Sequence, residues 1–160
     1  WKVKAAIWYQ GENNAGRAGE YAPLLTSLIA DWRETWGWPE MPFLLVQLPN
    51  YMAKQDKPSD SGWARLREAQ FQVSRNVPHT ALAVTYDAGE WNDIHPLDKK
   101  TVARRLFLGA RKIVYGEKVA ASGLYIKVWR RKATALSFHS TMPDGDCRAG
   151  AGAEAFCHCG

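Results

Sequence analysis

Two short stretches carry residue types suited to acyl transfer. The first is Asp93 and His95, two positions apart in the polar segment 87–96. A histidine oriented by a carboxylate is the arrangement that deprotonates a serine or cysteine nucleophile. The competing reading is a surface-loop histidine, with Asp93 capping the helix that follows. The second stretch is Gln10-Gly11-Glu12-Asn13-Asn14. Gly11 lets the backbone approach a ligand closely, and the amides of Gln10, Asn13 and Asn14 can donate to a carbonyl oxygen that becomes negative during acyl transfer. Such residues also make ordinary turns for local reasons. No cysteine lies near either stretch, since Cys147, Cys157 and Cys159 all fall in the tail, so the nucleophile must be a serine. Ser27 and Ser74 fall in helical patterns, Ser59 and Ser61 in a loop, Ser122 after a helix, and Ser137 and Ser140 in the tail. None is well placed, and the nucleophile must come from elsewhere.

Positioning these groups requires a rigid frame, and the hydrophobic pattern supplies one. Residues 2–9, 43–48 and 80–86 are short runs without polar alternation, the mark of strands buried on both faces. Between and after them lie helical patterns. In 19–36 the residues Tyr21, Leu24, Leu25, Leu28, Ile29, Trp32 and Trp36 recur at three- and four-residue steps. In 62–75, opened by a Ser61 cap, Trp63, Leu66, Gln70 and Val73 share a face that Gln70 weakens. In 97–115, Val102, Leu106, Ala110, Ile113 and Val114 point inward, and Gly116 closes the helix. The order β-α-β-α-β-α implies a parallel sheet with right-handed crossovers, covered on both faces. Ligands of such sheets bind beyond the carboxyl ends of the strands, where Gln10, Asn50 and the 87–96 loop all fall.

Composition bounds the rest. The chain has 160 residues, 46% of them hydrophobic, which fits one domain with a core. A net charge of +5 and a pI near 9.2 are spread between a helix-like stretch around Lys99–Arg111 and the tail, so they describe solvated faces rather than a nucleic-acid surface. No apolar run of membrane-spanning length is present, and nothing announces a signal peptide. Cys157-His158-Cys159 offers too few ligands for a metal. Trp91 is the tryptophan best placed for sugar contact, which keeps a non-catalytic carbohydrate-binding module as the alternative function.

The wording of the motifs is more specific than their spacing. Ile7 to Asn14, Asp31-Trp32-Arg33, Phe43 to Tyr51, Leu66 to Gln70, and Asn92-Asp93-Ile94-His95-Pro96 with Lys99-Lys100 closely resemble the sialate O-acetylesterase family, within the SGNH hydrolases. The resemblance runs from about residue 1 to 123. It implies a three-layer α/β/α flavodoxin-like domain and an esterase that removes acetyl groups from sialic acid or related sugars. It further implies no metal or organic cofactor, a small acetylated sugar or glycan as partner, no nucleic acid or membrane, and a secreted or periplasmic location. By this likeness Gln10, Gly11, Glu12 and Asn13 shape the oxyanion and substrate site, and His95 is the general base. The family's serine-bearing block has no match here, so the chain is expected to be a piece of a catalytic domain, truncated at its amino end. Asn92 stands where the superfamily usually has its acid, three residues before the histidine. Asp93, Glu90 or a backbone carbonyl then remains to orient His95. Residues 1–123 are expected to form the partial catalytic domain, and 124–160 the start of a β-rich segment or a poorly ordered tail.

Overall fold

A computed structural model of the chain describes residues 2–57, 59–122, 125–132 and 135–141. Two compact units result, Trp1–Ser122 and Gly123–Gly160. In the first, strands β1 (Ala6–Trp8), β2 (Phe43–Val46) and β3 (Thr80–Ala83) form one parallel sheet in the order β1-β2-β3. Ala6 pairs with Phe43, and Phe43 with Thr80, so all three carboxyl ends open on the same rim. The strands are shorter than their apolar runs. Beyond Val46 comes the half-buried Gln47, and Leu48 and Pro49 are buried again, but there the chain serves as a support for the rim rather than as a ladder strand.

A 3₁₀ segment, Glu12–Glu20, leads into α1 (Tyr21–Thr35); α2 (Gly62–Asn76) and α3 (Lys99–Ile113) complete the set. Helices α1 and α2 cover one face through Tyr21, Leu25, Ile29, Trp63, Leu66 and Val73, packed with Ala6, Phe43, Leu45 and Leu82. Full burial of each such large apolar side chain contributes about 1.5–3 kcal/mol. The opposite face is taken by α3. At Gly109 it comes so near that a side-chain carbon there would stand 3.3 Å from both Ala81 and Leu44. The result is an open parallel sheet flanked by helices on both faces, the α/β/α arrangement the sequence implied.

The caps explain the boundaries. Ser61 accepts a hydrogen bond from the Ala64 backbone N–H at 3.3 Å, as expected. At α3 the cap is Asp98, which accepts from the Thr101 N–H, so capping is not the task of Asp93. The broad stripe assigned to α1 narrows on folding. Tyr21, Leu25 and Ile29 are buried, whereas Leu24, Trp32 and Trp36 are exposed, because only the centre of a wide apolar arc meets a three-stranded sheet. Trp32 still packs edge-on against Trp8. On β1, Ile7 points to the α3 side and is 63% exposed. In the second unit, β4 (Tyr125–Lys132) and β5 (Ala135–Thr141) pair antiparallel. The three cysteines lie outside the described residues.

Candidate active site

The β1 loop is held by its own amides. Gln10 donates from Nε2 to Asn14 Oδ1 at 2.8 Å, while its Oε1 and backbone oxygen accept from the Tyr21 hydroxyl at 3.1 and 2.7 Å. One side-chain N–H of Gln10 is thereby used in fixing the loop, which leaves one for a ligand. Burial raises the Tyr21 phenol above its ordinary value, so it stays a neutral donor across the physiological range. Gly11 has φ 146°. A side-chain carbon there would stand 2.7 Å from Leu66 Cδ2, and Leu66 is fully buried, so only glycine fits. Glu12 is half-buried and Asn13 exposed.

A residue the sequence undervalued locks the rim together. Gln70, 1% exposed, accepts from the Leu48 N–H at 2.9 Å and donates to the backbone oxygens of Gln10 at 3.1 Å and Val46 at 3.3 Å. It therefore ties the β1 loop to the end of β2. The available signal was a polar residue on an otherwise apolar helical face, which weakens a stripe but marks a site where backbone groups need partners.

The third loop is pinned at several points. Asn50 Oδ1 accepts from the Gly89 N–H at 2.9 Å, and the Met52 N–H donates to the Trp91 carbonyl at 2.8 Å. Glu90 and Asp93 form a backbone bridge, and one Glu90 carboxylate oxygen is buried without a hydrogen-bond partner. From α3, Arg105 grips Asp87 in a two-pronged pair, with Nη2 to Oδ2 at 2.8 Å, and also donates to the Val84 carbonyl. Lys99 of α3 in turn lies over the Tyr9 ring, 5.7 Å from its centroid. The three loops thus share one connected rim.

His95 stands on this rim between half-buried Ile94 and buried Pro96, with its own side chain 87% exposed. Asp93 does not hold the imidazole. Its Oδ1 accepts from the His95 backbone N–H at 2.8 Å, whereas Nδ1 is 3.8 Å away, beyond hydrogen-bond reach. Asp93 here shapes the turn that presents His95. Among the described residues no group of acidic, histidine or cysteine side chains could hold a metal. The serines among the described residues of the three loops are Ser59 and Ser61, both at the far end of the β2 loop, where Ser61 caps α2.

The Arg105 clamp carries a pH signature. Its hydrogen bonds hold the Asp87 carboxyl below the usual carboxylate range. A depressed folded value means the contribution to stability is present above the unfolded carboxylate pKa, about 4, and is lost as pH falls through the folded value. Because both side chains are partly exposed, the effect is small, about 1 kcal/mol or less. Urea unfolding of Asp87→Asn should show a deficit at pH 7 that shrinks by pH 3, and a deficit independent of pH would count against the clamp.

A family model described as carbohydrate esterase, sialic acid-specific acetylesterase matches residues 2–106. Sialate O-acetylesterase of Rattus norvegicus is 41% identical over 133 residues, covering 72% of this chain and 24% of its own length. The protein of that name from Homo sapiens is 40% identical over 133 residues, covering 72% of this chain and 25% of its own length. A solved structure, a novel carbohydrate acetylesterase from Xanthomonas citri, superimposes with TM-score 0.75 at 42% identity, covering 81% of this chain and 30% of that one. The chain spans about a quarter of the length of these sialate O-acetylesterases.

Proposed function

The chain belongs to the carbohydrate esterase family of sialic acid-specific acetylesterases, and from that premise we propose that it is part of an enzyme that removes O-acetyl groups from sialic acid or related sugars. In this reading a serine outside these 160 residues attacks the acetyl carbonyl. His95 takes its proton, Gln10 and neighbouring amides hold the oxyanion, and water then releases acetate. The observation that carries the proposal is the shared rim, where the Gln10 loop and the His95 loop are tied to the same strand ends. The edge position of β1 in the sheet supports pairing with a further strand from the rest of the enzyme, and the exposed face at Ile7 supports cover by a further helix; that part would deliver the serine.

Two samples test this: the full-length protein and the 160-residue chain, each supplied with O-acetylated sialic acid. The full-length protein should release acetate and be labelled at one serine by an organophosphonate. The shorter chain should do neither, because oxyanion donors without a nucleophile accelerate hydrolysis only slightly. Turnover by the 160 residues alone would refute the division of the site. A full-length protein inert toward acetyl esters but binding the deacetylated sugar would favour a carbohydrate-binding module, with Trp91, 64% exposed, as its contact.

A further inference from the structure

At the opposite end of the sheet, beneath the amino ends of all three strands, lies an open basin of about 710 Å³, within the range of small-molecule sites. Its walls include Lys2, Lys4, Trp36, Trp38, Glu40 and His79, and the carboxyl end of α3 closes one side. We propose that this basin is a second, non-catalytic saccharide site that takes an acidic sugar.

Three features specify the ligand. The first is Trp36, 56% exposed at the end of α1, whose indole offers an apolar face with a polar N–H at its edge. A pyranose presents a matching C–H face flanked by hydroxyls, the amphipathic partner an indole favours. The second is the polar rim. Glu40 lies 3.8 Å from His79 Nε2, and such a pair can bind hydroxyls as acceptor and donor. The third is charge: Lys2 and Lys4 enter no ion pair among the described residues, so the basin's lining sets two ammonium groups against the one carboxylate of Glu40. That balance selects a sugar bearing a carboxylate.

The basin is also rigidly built. The His79 carbonyl accepts from the Phe43 N–H, the Pro42 carbonyl from the Ala6 N–H, and Arg33 donates to the carbonyls of Met41 and Pro78. His79 adopts φ 55°, a left-handed conformation that is uncommon outside glycine. A site framed by backbone bonds loses little freedom on binding. The inference stands on these residues and not on His95.

The test is tryptophan fluorescence and saturation-transfer NMR on the full-length protein, with N-acetylneuraminic acid as probe and N-acetylglucosamine as uncharged control. Neither carries an ester. Saturable binding of the acidic sugar is expected near a millimolar Kd, about 4 kcal/mol, and weaker for the control. Trp36→Ala should weaken it at least about tenfold while Trp36→Phe retains most of it; Lys4→Gln should remove the preference for the acidic probe, and His95→Ala should change nothing. Circular dichroism confirms that each variant is folded. Binding unaffected by Trp36→Ala, binding lost in His95→Ala, equal affinity for both sugars, or no binding because other polypeptide fills the basin would each overturn the proposal.

Discussion

Replacing His95 with alanine in the full-length protein should lower kcat/KM for an acetylated sugar by about a thousandfold or more, with the fold intact. The fold should survive because the His95 side chain is 87% exposed. Its neighbours Ile94 and Pro96 and the Asp93 turn fix the backbone. The loss should appear mainly in kcat, since a general base acts in the transition state more than in binding. Asp93→Asn sharpens the test. An asparagine Oδ1 can still accept the His95 backbone N–H, so if Asp93 only shapes the turn, activity should fall by about tenfold at most. An acid that orients the imidazole would cost about 10⁴ on the same substitution. Acetate release by wild type and the two variants separates these outcomes. Equal rates for wild type and His95→Ala would remove the histidine from the mechanism.

The strands and helices were legible in the sequence because their signals are local and repetitive. Phe43 to Val46 is an unbroken apolar run, and all of it is buried; Trp63, Leu66, Gln70 and Val73 share the buried face their spacing predicts. Where the reading overshot, the cause was tertiary. Trp36 fits the α1 stripe, yet the sheet does not extend far enough to cover it. The rim itself was placed by the parallel order of the strands, but the links across it were not. Arg105 and Asp87 are 18 residues apart, and Gln10 and Gln70 are 60 apart. No periodicity encodes contacts at such separations; they exist only once the crossovers are made. The acid partner of His95 was left open by the sequence for a related reason: a two-residue spacing allows both an imidazole contact and a backbone turn, and here the backbone N–H takes the carboxylate oxygen.

Gln70→Leu should destabilise the protein by about 1–3 kcal/mol and impair catalysis besides, because one buried amide serves two parts of the rim. Leucine is close in size and would fill the space, so the cost is not a cavity. It arises from the Leu48 N–H, which loses its acceptor in a place water does not reach. The Val46 carbonyl also loses a donor. The Gln10 carbonyl keeps the Tyr21 hydroxyl, so the β1 loop should stay folded while its tie to the end of β2 is cut. Against a total stability of about 5–15 kcal/mol the loss is measurable as a lower urea midpoint at unchanged slope. Gln70→Glu gives a second, distinct outcome. Its carboxylate still accepts from Leu48 N–H but faces the carbonyl oxygens of Gln10 and Val46, so it should be destabilising at neutral pH and partly recover as acid protonates it. Were Gln70→Leu to keep both the wild-type midpoint and the wild-type kcat/KM in the full-length protein, the rim would be held by other bonds and Gln70 would be a passenger of the core.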